Sequence, residues 1–255
     1  MPVKVAIIGE SCIDEYIYGT CDRVCPEAAA LCFKREGDIT SNPGMAANVY
    51  ANLTSLNTHG ELHIDLISSK SNIIKRRFVD KKYNTIIFRE DVNDKSDRIQ
   101  LHDINFDIYS YIVFSDYNKG FLTEQDIIDI ASNHKSHAII FIDTKKKLKN
   151  IVPFVDFVKI NTSEFLYNKE DIDYIKAQTS LIVTSGESGA TLYHKSDTTQ
   201  YSTQKVVLRD VCGAGDTFLA ALVFRYCGTQ DIGSSIGFAN TCAANVVSRF
   251  GVVTL

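Results

Sequence analysis

The stretch Asp210-Val211-Cys212-Gly213-Ala214-Gly215-Asp216-Thr217 decides how the rest of the chain is read. Two glycines one residue apart let the backbone approach an anion closely, and the run Phe218 to Tyr226 has the composition of a helix. The first turn of a helix leaves N–H groups without intrahelical partners, so this is an anion-binding helix start. Asp216 then has two readings. The macrodipole favours an acid in the first turn as a cap, and an acid beside a phosphate site can take a proton from an attacking hydroxyl. Glycine-rich turns before helices are common, so the eight residues alone leave both open. A GxxxxGK[ST] phosphate loop and a GxGxxG after the first strand are both absent from the sequence.

At 255 residues, 45% hydrophobic and 23% charged, the chain suits one α/β core with at most a small appendage. A formal net charge of −4 argues against a broad nucleic-acid surface. The clusters Lys75-Arg76-Arg77 and Lys145-Lys146-Lys147 are too short to alter that, though either suits a small phosphorylated substrate. Met1 to Gly9 is apolar without a basic leader, and no run reaches the roughly 18 apolar residues of a membrane span, so the expected location is cytoplasmic, with no membrane partner. Seven cysteines, an odd number, suit reduced thiols. Cys12, Cys21, Cys25 and Cys32 lack CxxC spacing or a nearby histidine, which disfavours zinc.

Short apolar runs recur at Val3–Ile8, Leu62–Ile67, Tyr111–Phe114, Ala138–Ile142, Phe157–Ile160 and Leu181–Thr184. Helical spacing intervenes at Ala46–Leu56 and Thr123–Asn133, an alternation that predicts a largely parallel, covered sheet. Two further helices are expected at Ala214–Cys227 and Asp231–Arg249, each followed by a glycine stop. A second pattern, Tyr16–Gly19, Leu31–Lys34, Lys75–Val79 and Thr85–Arg89, does not alternate with helices. Lys81-Lys82-Tyr83-Asn84 reads as a hairpin turn, so a small sheet laid over the main one is expected. Polar residues where strand-like runs end, among them Glu10, Asp14, Asp116, Lys119, Asp143, Asn161 and Glu164, suit a ligand crevice, or singly serve as caps and loop acids. Asn161-Thr162-Ser163-Glu164 also reads as a capping box.

The segment Asp210 to Asp216 resembles the C-terminal signature of the ribokinase-type (PfkB) carbohydrate kinases, with Cys212 in place of the usual Thr. Asn42-Pro43-Gly44-Met45-Ala46-Ala47-Asn48 resembles the N-terminal signature, where Gly-Gly is commoner than Gly44-Met45. Within that superfamily the chain most resembles the D-glycero-D-manno-heptose 7-phosphate kinases, including the kinase half of the bifunctional heptose kinase/adenylyltransferases. The matching residues are Asp14 to Gly19, Arg23 to Ala28, Ser115 to Gly120, Ile87 to Asp91 and Phe238-Ala239-Asn240. The departures are Glu10 for the usual Asp, Ile160 and Thr144 for prolines, and Ile67 leading almost directly into Lys75–Arg89, where relatives carry an extra segment.

The resemblance implies a single ribokinase-like domain over residues 1–255. Its three layers hold a mostly parallel central sheet, with lid strands inserted from about 14–36 and 75–91. It implies ATP and Mg2+ as cofactors, a small sugar or sugar phosphate as acceptor, and a homodimer joined through the lid. By the same resemblance Asp216 is the base, with Gly213, Ala214 and Gly215 holding the phosphoryl group. Asp14, Gly44, Asn48, Arg89, Asp116 and Lys119 are the acceptor residues, Thr184, Gly186, Gly189 and Asn240 the nucleotide residues. Asn161 and Glu164 organise the metal, directly or through water. By the resemblance the leading acceptor is D-glycero-D-manno-heptose 7-phosphate, with another sugar or a nucleoside as the fallback, and a second function class is a sugar- or nucleotide-binding or assembly protein that kept the fold and lost efficient turnover.

Overall fold

The computed structural model describes residues 2–70, 72–249, 251 and 254–255. Strands β1 (Val3–Gly9), β4 (Leu62–Ile67), β7 (Tyr111–Asp116), β8 (Ile139–Thr144), β9 (Phe157–Asn161), β10 (Ser180–Thr184), β11 (Ala190–His194) and β12 (Asp197–Tyr201) form one sheet. Its order is β12-β11-β10-β9-β8-β7-β1-β4. The six strands from β10 to β4 are parallel, and β11 and β12 add an antiparallel edge.

Both faces are covered because the parallel strands are apolar on both sides. One core packs Ile112, Phe114, Ile140 and Ile142 against Ile127 and Ile130 of α2 (Glu124–His134) and Ile175 of α4 (Ile172–Gln178), with α3 (Thr162–Tyr167) alongside. The other packs Val5, Ile7, Val113 and Phe141 against α1 (Ala46–Leu56), α5 (Ala214–Thr229) and α6 (Ile232–Val247). The result is the covered sheet read from the alternation, in the three layers that the resemblance implies. The stop after α5 differs from expectation: the helix runs through Gly228 and ends at Gln230, which itself takes the left-handed conformation with φ 54°. α6 ends at Val247, four residues before Gly251.

The second sheet holds β2 (Ser11–Val24), β3 (Leu31–Met45), β5 (Ile73–Asp80) and β6 (Thr85–Val92) in the order β3-β2-β5-β6. Its strands extend beyond the expected 14–36 and 75–91, reaching 11–45 and 73–92. The hairpin turn at 81–84 forms, with Asn84 at φ 51°. Along β5 burial alternates, so Ile73, Lys75, Arg77 and Val79 face inward while Arg76 lies outside with Glu15 and Glu90. Met45, at the junction of β3 and α1, has φ 58°. That backbone strains any side chain, which accounts for glycine in the resembled signature. Here the Met45 side chain is buried with Cys12 and Ile73.

Candidate active site

α5 begins at Gly213, whose φ of 78° only glycine adopts readily, and no side chain caps its first turn. At this start the Ala214 N–H donates to the Val211 carbonyl at 3.3 Å, while Gly215 stands beside Lys159 of β9 and Asp216 beside Tyr117 after β7. Lys159, on β9, is buried and ion-paired to Asp143 at 2.6 Å. A Cβ on Gly215 would lie 3.0 Å from the Lys159 ammonium, so the bare glycine lets that cation rest against the nest.

Asp216, 5% exposed, is the centre of the arrangement. It accepts a hydrogen bond from Asn48 Nδ2 at 3.1 Å and one from the Tyr117 hydroxyl at 2.6 Å. Burial pushes its carboxyl up to about 6, against the two donors, which favour the charged form. Burial, with Asp216 adding to it, holds the Tyr117 phenol well above its ordinary range, so Tyr117 is a donor at neutral pH. The Lys75 and Lys145 ammoniums lie 5.1 and 5.4 Å from the Tyr117 ring centroid.

Tyr117 is held from beneath. Glu10, fully buried at the end of β1, accepts N–H bonds from Tyr117 and Lys119 at 2.8 Å each and from Phe121 at 3.2 Å. The residue that departs from the resembled pattern thus fixes the loop over the base.

On the buried face of β2 in the lid, Asp14 is ion-paired to Arg77 Nη1 at 2.5 Å. A Cβ on Gly44 would come within 2.0 Å of Asp14 Oδ2 and 2.5 Å of Cys12 Sγ, so glycine is required by space. The Cys12 thiol, pushed up to about 12 by burial, also responds to Asp14, Lys75, Asp216 and Arg77, which marks these groups as one neighbourhood.

Three sequence-selected acceptor residues are committed elsewhere. Asp116 is buried and bonded to Lys146 Nζ through both oxygens at 2.7 Å and to the Thr144 hydroxyl. Its carboxyl is raised by burial, against the pull of Lys146. The Lys119 ammonium is bonded to Asp94, and the exposed Arg89 to Asp91 at 2.6 Å.

The expected nucleotide residues do converge. Thr184, Gly186, Gly189 and Asn240 line one cleft of about 490 Å³ that reaches Ala214 and Gly215, with Phe218, Ala243, Ala244 and Val247 as apolar wall. Asn240 donates to the Tyr201 carbonyl at 3.0 Å, so its amide also ties α6 to β12. Asn161 and Glu164 form the capping box of α3: Glu164 N donates to Asn161 Oδ1 at 3.0 Å, and Asn161 N to Glu164 Oε2 at 2.8 Å. The other Glu164 oxygen binds Lys145. Burial opposes the charge on Lys145, yet Asp143 and Glu164 outweigh it and raise its pKa.

Sequence reasoning passed over Tyr117 and Lys159 as site residues, and offered Lys75, Arg77 and Lys145 only as members of basic clusters suited to a phosphorylated substrate. Tyr117 stood inside the quoted Ser115–Gly120 match, and strand alternation would have put Lys75 and Arg77 on one face.

The bifunctional protein HldE of Aliarcobacter butzleri is 30% identical over 314 residues, covering 98% of this chain and 62% of the relative. HldE of Campylobacter curvus is 29% identical over 296 residues, covering 99% and 63%. The chain thus spans about three fifths of these relatives. Phosphofructokinase-2 of Escherichia coli, solved with potassium, superposes with a TM-score of 0.76 at 12% identity, covering 99% of this chain and 94% of that one. Arabidopsis thaliana ribokinase, solved with ribose and ATP, gives 0.71 at 14% identity, covering 98% and 94%. The model of the pfkB family carbohydrate kinases matches residues 63–255. With that match and the ribokinase fold, the chain belongs to the pfkB family of carbohydrate kinases, phosphotransferases that act on a sugar hydroxyl.

Proposed function

We propose that this chain is an ATP-dependent kinase of a sugar phosphate, with D-glycero-D-manno-heptose 7-phosphate as its leading acceptor. The supporting observation is Asp216: a buried carboxyl of pKa about 6, between an uncapped helix start and the inner face of a lid. At neutral pH it is ionised yet far more basic than an exposed aspartate, which suits a general base.

The nucleotide cleft fits ATP in size and in its apolar wall ending at a backbone nest. Bound ATP supplies the phosphoryl group. The N–H groups of Gly213 and Gly215 hold its oxygens, joined by that of Ala214 once its 3.3 Å bond to the Val211 carbonyl gives way, and Lys159, paired with Asp143, stands beside them. Asp14 and Asn48 orient the acceptor, and Asp216 takes the proton of the attacking hydroxyl. Direct ligation of magnesium by Asn161 and Glu164 does not fit, since both Glu164 oxygens are engaged by Asn161 and Lys145. A magnesium ion in this reading is held through water, and no step is assigned to it.

The proposal includes a cytoplasmic location; no helix among the described residues is long and apolar enough to cross a membrane. It also includes a dimer through the lid, whose outer surface exposes Ile13, Ile39 and Phe88. Sedimentation that finds only monomer at micromolar concentration removes that part.

The test is ATP consumption over a panel of hexoses, heptose phosphates and nucleosides, with Asp216→Asn as control. Heptose 7-phosphate should turn over at least about a hundredfold faster than the control. Sugar binding with no turnover above Asp216→Asn would instead establish a binding protein on the same fold.

A further inference from the structure

Lys75, Arg77 and Arg89 lie on one face of the lid strands β5 and β6, Lys119 lies in the loop after β7, and three of these four cations are neutralised. Arg77 is paired with Asp14, Arg89 with Asp91 and Lys119 with Asp94. Lys75 is the fourth. Its register partners are Asp14 on β2 and Asp91 on β6, both already taken. Among the described residues its ammonium has no carboxylate within ion-pair distance and no hydrogen bond, although the residue is only 9% exposed. It rests over the Tyr117 ring, whose hydroxyl is bonded to Asp216. A buried ammonium without a counter-ion is costly to hold, so the arrangement is explicable if an anion arrives with the ligand.

We propose that Lys75 is the specificity residue that binds a phosphate group already carried by the acceptor. The proposal rests on the kinase reading above for the acceptor's identity. Lys75, rather than Lys119 or Arg89, is then what separates a phosphorylated sugar from its neutral counterpart. Arg77, tied to Asp14, shapes the hydroxyl contacts instead. The ammonium suits a phosphate as a compact charge with three donors, and its position beside Tyr117 sets the distance between the bound phosphate and the hydroxyl presented to Asp216.

The experiment measures binding and turnover separately. Heptose 7-phosphate and mannose 6-phosphate are compared with heptose and mannose, by calorimetry without ATP and by ATP consumption with it. The proteins are wild type, Lys75→Met and Lys75→Arg. Lys75→Met keeps the buried stem and removes the charge, and melting curves check that each variant is folded. Loss of one charge-assisted contact should weaken binding of the phosphorylated sugars about 10- to 100-fold, leave the neutral sugars within about twofold, and be largely restored in Lys75→Arg. Equal losses for phosphorylated and neutral sugars would overturn the proposal, as would wild type binding both alike. If Lys75→Met fails to fold, competition decides: inorganic phosphate should displace the phosphorylated sugars from wild type but not the neutral ones, and failure to do so overturns the assignment. Turnover that is insensitive to Lys75→Met refutes Lys75 and leaves the kinase reading standing. Charge-dependent binding without turnover supports Lys75 and removes the kinase reading.

Discussion

Replacing Asp216 with Asn should destroy activity and stabilise the fold, and the second effect has a pH signature. In the unfolded chain this carboxyl ionises near 3.8; in the folded chain, near 6. Between those values the folded protein holds a proton that the unfolded chain has released, so stability falls as pH rises across the window. Above about pH 6 the penalty is complete, and below about 3.8 it vanishes. At 1.36 kcal/mol per unit the shift amounts to roughly 3 kcal/mol. For a chain of 255 residues, with about 2.1 cal/mol/K of unfolding entropy per residue, that is about 5 °C in Tm. The Asp216→Asn substitution removes the buried charge, and the amide oxygen it introduces can still accept from the Tyr117 hydroxyl. Melting curves of both proteins from about pH 4 to 8 provide the assay, alongside kcat. The variant should melt about 5 °C higher at pH 8, with the gap closing toward pH 4, while kcat drops about a hundredfold or more. A gap that is absent, negative, or constant with pH would show that Asp216 is not a buried, strained carboxylate, and so not a tuned base.

Two other perturbations probe its neighbours. Tyr117→Phe removes a hydrogen bond to a charged acceptor, about 1.5 to 3 kcal/mol, so the acidic limb of kcat/KM should move up by about one pH unit or more; an unmoved limb refutes the contact. Glu10→Gln replaces an acceptor-only carboxylate facing three N–H groups with an amide that must turn a donor toward one of them, and urea unfolding should register a loss of about 3 kcal/mol. A loss below about 1 kcal/mol would mean the loop is held by other contacts.

The central sheet was legible because six of its strands are apolar runs, several of them separated by helical spacing, and each forms where that pattern put it. The edge strands β11 and β12 were not, since Asp197–Tyr201 is mostly polar and its exposed pairing leaves no hydrophobic alternation. The lid strands exceed their expected lengths for a related reason. Asn42-Pro43-Gly44 has turn composition, yet it pairs with Asp14, Ile13 and Cys12 of β2, and tertiary pairing overrides local preference. In the site, residues bound by short-range rules were readable: Asp216 in its helix turn, Asn161 with Glu164 in a capping box. Whether a charged side chain is free or paired depends on partners distant in sequence. Asp116 with Lys146 and Arg77 with Asp14 show how such pairing hides or reveals a binding group.

The Glu10 carboxylate bears on which pieces of such kinases can be exchanged. It lies 107 residues before Tyr117 in the chain, yet its oxygens set where the loop through Phe121 stands. A loop taken from a relative with aspartate at this place would carry donors spaced for a carboxylate one methylene nearer the strand, and would not seat its tyrosine against Asp216 as Tyr117 is seated here. Chimeras with a crossover between residues 10 and 117 should therefore need both parts from the same parent, and the pair behaves as a single unit of inheritance.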